Sequence, residues 1–326
     1  MPRVTVLVAV YNAEAFLTRC LDSLLAQRLA DFQAICIDDA STDGSLALMQ
    51  DYAARDPRIE VIALGENHGQ AFARNQGLEK VRGEFTCFLD ADDWLSPDAL
   101  QQAVETFVRH ADADCVLFDV DYVYPDRHEP YNMPAFERLS GEEAFRLSLD
   151  WQIHGVYMVR TPIHRRFPYD DTCKTYSDDN TTRLHYLASR SVYPCKGVYH
   201  YLQHEQSATH QVSVRRFDFL RANESMKRQL EQLGAADDVM RQWETIRLRV
   251  LVDCYMYYHC HGAQLTAAER QYGLTELHHV WQNIDRELVD WRLSHHFGYC
   301  LMPCWWMFRV EEWIYFTLRG WLGKNK

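Results

Sequence analysis

Asp90, Asp92 and Asp93 close an apolar run, Phe85-Thr86-Cys87-Phe88-Leu89, and their type and spacing suit chemistry with a cation. The run reads as a buried strand, which leaves three carboxylates at its carboxyl end. Packed that closely they repel one another, so positive charge is expected among them. A hard cation supplies it: Mg²⁺ or Mn²⁺ takes one or two protein carboxylates and completes its shell with water and phosphate oxygens. Ligands of open α/β sheets bind beyond the carboxyl ends of the strands, where these side chains would sit. The alternative is a solvated acidic turn capping the next helix, and Asp-x-Asp alone does not separate the two. Two other metal-like groupings, Cys300 with Cys304 and Cys254 with Cys260 and His261, lack zinc-site spacing and read as core packing.

The elements that must position these residues follow from hydrophobic period. Val4 to Val10 is too continuously apolar for a half-exposed strand and reads as central and parallel. Asn12 is placed as N-cap of a helix whose apolar residues, Phe16, Leu17, Cys20, Leu21, Leu24 and Leu25, recur at helical spacing. Strands follow at Ala34–Ile37 and Ile59–Ile62, with cap and turn residues, Ala40 to Ser45, leading into the helix between them. A short helix spans Ala71 to Leu78, and Ser96 is placed as N-cap of the next, with Pro97 in its first turn. Asp114 to Phe118 is the fifth strand. This alternation predicts a doubly wound, mostly parallel sheet. From Tyr122 the pattern becomes Pro- and Tyr-rich and mixed, and from Val214 it is mainly helical.

Composition narrows the class. The chain has 326 residues, a net charge of −12 and no basic stripe, which argues against nucleic acid as partner. A strand begins directly after Met1-Pro2-Arg3, so no signal peptide is expected. The ten Cys show no disulfide framework and fit a reducing compartment, so a cytoplasmic location is expected. The turn Tyr11-Asn12-Ala13-Glu14 holds no glycine, which excludes the Gly-x-Gly-x-x-Gly of a nicotinamide dehydrogenase. It also lacks the Gly-rich loop with which a sugar-phosphate nucleotidyltransferase cradles its triphosphate.

Five stretches taken in order resemble one family: Val6 to Glu14, Ile37 to Ser45, Asn67-His68-Gly69 with Ala73 to Gly77, Phe88 to Asp93, and the later pair Asp178-Asp179. They resemble the family 2 glycosyltransferases of bacterial surface-polysaccharide synthesis. That resemblance implies a GT-A type, Rossmann-like α/β fold with a mostly parallel sheet, flanking helices and a mainly helical C-terminal region. Its expected divisions are 1–120 for the nucleotide-sugar half, 121–213 for the acceptor half and 214–326 for the helical region. It implies an inverting transfer from a nucleotide-sugar, a UDP-sugar by expectation, to a hydroxyl of a glycan or lipid-linked acceptor, with Mn²⁺ or Mg²⁺ as cofactor. A non-catalytic sugar-nucleotide-binding protein is the competing class; carboxylates at every position the reaction requires argue against it.

By the same resemblance Ala9, Tyr11, Glu14 and Asp39 hold the nucleoside, and Arg74 lies near the donor. Asp39 has helix capping as its alternative, and Arg74 a solvated surface position. Asp90 touches the ribose or sugar, Asp92 coordinates the metal and Asp93 supports the loop. Asp179 or Asp178 takes the acceptor proton, with the stabilised start of a helix as the alternative role. Relatives carry Glu-Asp here with a longer gap to the following Arg-Leu, so the alignment leaves open which Asp is the base. His204 is expected as a second metal ligand and Ser207 as a phosphate contact, a lone His in an aromatic strand being otherwise structural.

At the C-terminus, Phe297 to Phe308 carries no Asp, Glu, Lys or Arg, but Arg309, Glu311 and Glu312 make the run too short to span a bilayer. Trp305, Trp306, Trp313 and Trp321 fit an interfacial helix, giving peripheral contact with the inner face of the plasma membrane. Packing on the catalytic domain, or a homodimer contact, fits the same residues.

Overall fold

The structure, a computed structural model, describes residues 1–173, 175–176, 178–204 and 212–324. The chain divides into two compact units, Met1–Lys174 with Asp178–Ser207 and Thr175–Ser177 with Ala208–Lys326.

The first unit begins with β1 (Val4–Val10), α1 (Glu14–Leu25), β2 (Phe32–Asp38), α2 (Ser45–Arg55), β3 (Ile59–Ala63), α3 (Gln70–Leu78) and β4 (Phe85–Phe88). Then follow β5 (Trp94–Leu95), α4 (Ala99–Arg109), β6 (Ala113–Val123), β7 (His128–Pro130), β8 (Leu139–Ser140), α5 (Gly141–Ser148), β9 (Tyr157–Arg160), α6 (Thr161–Arg166), α7 (Asp178–Ala188) and β10 (Ser191–Leu202). All ten strands form one sheet in the order β3-β2-β1-β4-β9-β6-β10-β5, with β7 on β6 and β8 on β10. The pairs β1–β2, β2–β3, β1–β4 and β6–β10 are parallel. β9 runs antiparallel between β4 and β6. β1 and β2 are buried along almost their whole length, as continuous apolar strands covered on both faces must be. Gly77 lets α3 close on this sheet: a Cβ there would lie 2.9 Å from the buried side chains of both Leu7 and Ile37.

Two local expectations change. Asn12 does not cap α1; it sits at φ 49° and its Oδ1 accepts from the Thr42 N–H at 2.8 Å. Asn tolerates this left-handed backbone, and the β2–α2 loop offers its side chain a better-placed donor than the helix does. Ser96 is likewise not the cap of α4, which starts at Ala99 behind Asp98. Its hydroxyl accepts instead from the Val198 N–H of β10 at 3.0 Å. The strand expected at Asp114–Phe118 is longer, β6 running to Val123.

The second unit contains α8 (Asp218–Gln232), α9 (Asp237–His261), α10 (Ala267–Asn283), α11 (Trp291–Ser294) and α12 (Trp305–Trp321). Its core gathers Phe217, Leu248, Leu251, Leu277, Phe308 and Phe316. The buried Arg247 guanidinium is matched by the carboxylates of Glu244 and Glu224. No helix among the described residues is long and apolar enough to cross a membrane.

Candidate active site

The loops after β1, β2 and β4 all leave the sheet at strand carboxyl ends. The first two are laced together. The Ala13 N–H donates to Ser45 Oγ at 2.9 Å, and the Glu14 carboxylate accepts from the Gly44 N–H at 2.8 Å. Glu14 therefore clamps the neighbouring loop, while Tyr11 beside it stands 51% exposed. Ala9 lies partly buried near the end of β1, opposite Ile37 of β2.

Asp39 is only 2% exposed. Its carboxylate accepts from the His68 N–H at 2.8 Å, the Gly69 N–H at 2.7 Å and Asn67 Nδ2 at 2.9 Å. Gly69 makes this possible at φ 97°, a conformation that side-chain-bearing residues avoid. Asp39 thus fastens the β3–α3 loop, and it does not cap α2, which starts behind Gly44.

The three carboxylates after β4 have three different partners. Asp90 pairs with the Arg74 guanidinium. Asp92 Oδ2 lies 2.9 Å from His204 Nε2. Asp93, 1% exposed, accepts from the Leu202 N–H at 2.8 Å and from the Tyr199 hydroxyl at 2.7 Å. Tyr199 Oη in turn accepts from the Asp90 N–H at 3.1 Å, so one phenol fixes the loop at two points. Burial raises the Asp93 carboxyl to about 9, reinforced by Asp90 and Asp92 and opposed by its two donors. Burial also raises Asp90, to about 6, against the pull of Arg74.

Arg74 is not the surface cation that its sequence context allowed. It is 1% exposed, and its guanidinium carbon lies 4.4 Å from the Phe88 ring centroid and 5.3 Å from that of Tyr169. Such contacts contribute about 0.5–2 kcal/mol each, too little to offset a buried charge. Carboxylates must do that: Asp90 on one side, and Asp178 Oδ2 at 3.8 Å from Nη1 on the other. Gln70 Nε2 also donates to Asp178 Oδ2, at 2.7 Å. Arg74 thereby joins the β4 loop to the first turn of α7 and is buried behind both.

Asp179 stands next in that turn, with no hydrogen-bond or ion-pair partner among the described residues. Burial and the neighbouring Asp178 raise its carboxyl to about 7, and Arg183 pulls the other way. A carboxyl near neutrality suits a general base. The rest of the turn is anchored: Asn180 Nδ2 donates to Asp170 Oδ2 at 2.7 Å, and the Asp170 N–H donates to Thr181 Oγ1 at 2.9 Å.

Asp92 and His204 form a donor set that fits a divalent cation. The Asp92 side chain is 36% exposed, His204 adds one imidazole nitrogen, and water and phosphate oxygens can complete the shell. Phe16 packs on the His204 ring at 4.7 Å between centroids. Ser207 lies outside the described residues. Tyr199, Gln70 and Asn67 carry no local signal of their roles; each acts across a strand order or a loop approach that the sequence does not display.

A parallel-cored sheet that gathers its carboxylates beyond the ends of β1, β2 and β4 defines a GT-A type glycosyltransferase fold. The family model for glycosyl transferase family 2 matches residues 5–168, half of the chain, and the chain belongs to that family. Among curated relatives, the putative glycosyltransferase EpsH of Bacillus subtilis (strain 168) is 43% identical over 105 residues, 32% of this chain and 30% of EpsH. The putative teichuronic acid biosynthesis glycosyltransferase TuaG of the same organism is 39% identical over 104 residues, 32% of this chain and 41% of TuaG. The matches thus span well under half of either relative. Among solved structures, S. aureus TarS 1-349 in complex with UDP-GlcNAc shares the fold with a TM-score of 0.74 at 19% identity, covering 99% of this chain and 93% of that one.

Proposed function

We propose that this chain transfers a hexosyl or N-acetylhexosaminyl group, with inversion, from a UDP-sugar to a hydroxyl of a glycan or lipid-linked acceptor in surface-polysaccharide synthesis. The observation that carries this is the Arg74 bridge, which brings the Asp178-Asp179 pair to the Asp90–Asp92 loop. Inversion needs a base and a leaving-group site that are close but separate, and Arg74 lies between the two groups of carboxylates. Kinship with TuaG, and a fold shared with a UDP-GlcNAc-bound protein, support the substrate class.

Ala9 and the exposed Tyr11 border the nucleoside, on loops that Glu14 and Asp39 hold in shape. Asp90 keeps part of its carboxylate open toward the ribose or sugar while Arg74 fixes the rest. Asp92 and His204 are the residues that would hold Mn²⁺ or Mg²⁺, which when bound offsets charge building on the departing diphosphate. Asp179 takes the acceptor proton as the hydroxyl attacks. Asp178, already bonded to Gln70 and facing Arg74, positions that turn.

Purified protein should be stabilised against heat by a UDP-sugar with Mn²⁺ present, and should release UDP from it. Excess EDTA should abolish both effects. If no nucleotide-sugar raises the melting midpoint and none is consumed, the proposal fails.

Peripheral membrane contact through α12 is part of the same proposal. Trp306, Val310, Trp313, Ile314 and Trp321 are all exposed, and their spacing puts them on one helical face. Replacing Trp306 and Trp313 with Ser should lower flotation with anionic liposomes; unchanged flotation would remove the membrane from the proposal.

A further inference from the structure

Three adjacent strands present a second group of metal-type ligands that the donor site does not use. His200 of β10 is the register partner of Asp121 of β6, and His128 of β7 is the partner of Val123. Val123 follows Asp121 by one side-chain alternation, so all three side chains share a sheet face. Asp121 Oδ2 lies 2.7 Å from His128 Nδ1 and 3.1 Å from His200 Nδ1. The three ligand atoms lie within 4.8 Å of one another. His200 is further fixed by stacking on Trp94, with centroids 5.1 Å apart, and Trp94 carries the Arg19 guanidinium on its ring at 3.8 Å.

Both imidazoles turn Nδ1 toward the same carboxylate oxygen, and a single ion can replace the protons they share. Tetrahedral Zn²⁺ with bonds of about 2.0–2.1 Å holds its ligand atoms roughly 3.3 Å apart. The two Asp121 contacts fall short of that spacing by about 0.6 and 0.2 Å, so the cluster must open slightly to admit the ion. Two imidazoles and one carboxylate favour Zn²⁺ or Co²⁺, whereas Mg²⁺ and Mn²⁺ prefer oxygen-rich sets.

We propose that Asp121, His128 and His200 form a binding site for a Zn²⁺-class transition-metal ion, separate from the donor-metal site at Asp92. Three protein ligands leave the fourth position to water, and the 59% exposed His128 side chain gives the ion a direct path from solvent. The bound ion clips β7 to β6 and fixes His200 on the strand that leads into His204.

The full-length chain, stripped with EDTA and desalted, is titrated with Zn²⁺ by calorimetry and with Co²⁺ by visible absorption. One equivalent is expected to bind at this site, with the intense Co²⁺ spectrum of four-coordinate geometry. Loss of an outer-sphere partner already weakens metal sites by 10–100-fold, so removing a direct ligand in His128→Ala or Asp121→Asn should weaken binding by roughly 100-fold or more. His128→Ala removes an exposed side chain, and its far-UV spectrum and melting midpoint in EDTA serve as the folding control. Asp92→Asn should leave this equivalent intact. Wild-type affinity in both His128→Ala and Asp121→Asn, or loss of the equivalent in Asp92→Asn alone, would overturn the proposal.

Discussion

The carboxylates after β4 and those at the start of α7 come from equally acidic stretches, yet the fold treats them in opposite ways. In the β4 loop each group has its own partner: Arg74 for Asp90, His204 for Asp92, and Tyr199 with the Leu202 N–H for Asp93. At α7 Asp178 is engaged by Gln70 and Arg74, whereas Asp179 has no hydrogen-bond or ion-pair partner among the described residues. The first arrangement holds each group in a dedicated contact, and burial raises the carboxyls of Asp90 and Asp93 there. The second leaves one half-buried carboxyl near neutrality, able to gain and lose a proton. On the proposed function, binding and proton transfer are divided by which carboxylates are paired, not by how many there are.

Arg74 is where the two groups meet, so removing it should have the largest effect. Arg74→Ala leaves Asp90 and Asp178 without their shared cation, and breaking a buried pair from one side costs about 3–5 kcal/mol. Urea denaturation should show a loss of that size, with Arg74→Lys in between because an ammonium lacks the fork that reaches both sides. A stability within about 0.5 kcal/mol of wild type, as for a surface substitution, would mean that the bridge is unimportant.

Next comes the contrast within α7. Asp179→Asn keeps the shape but removes basicity, so turnover should fall by roughly a hundredfold or more while donor affinity stays near wild type. Asp178→Asn should cost less in turnover. Transfer assays beside donor titrations separate the two, and the reverse order would assign the base to Asp178.

Tyr199→Phe tests the paired loop. It leaves the Asp90 N–H and one Asp93 oxygen without their partner, at a cost of about 1–3 kcal/mol in stability. A neutral effect would show that the phenol does not organise the loop.

The smallest effect is on the pH profile. With Asp179 at about 7, the protonated, inactive form dominates at lower pH, and the transfer rate should drop toward tenfold per pH unit there and level off above. Asp178→Asn removes the like charge that helps to raise Asp179, so the inflection should move to lower pH. An inflection that stays in place would show that Asp178 does not act on the base.

The β4 strand and the three carboxylates behind it could be read from local sequence, but Asp-x-Asp alone left a cation site and a solvated turn both open. The alternation from β1 through β4 was legible because buried parallel strands are continuously apolar, and the helices between them repeat at their own period. What failed locally did so through competition. Asn12 and Ser96 have the chemistry of caps, but the Thr42 N–H and the Val198 N–H, brought close by folding, take their side chains instead. The full length of β6, Ala113–Val123, was not legible because it pairs with β9 and β10, and strand length is set by partners distant in sequence.

The sequence by itself determined which residues could bear charge, where strands and helices alternate, and which family pattern they follow. Only the tertiary structure decided how those charges are used. Arg74 became a buried bridge because the strand order sets β4 beside β1 while α3 and α7 close on the same end, and a guanidinium excluded from water must find carboxylates. Asp178 and Asp179 differ by one position in sequence, yet in the first turn of α7 one side chain meets Gln70 and Arg74 and the other has no hydrogen-bond or ion-pair partner among the described residues. Successive side chains on a helix point in directions about 100° apart, and what each one meets there depends on the rest of the fold.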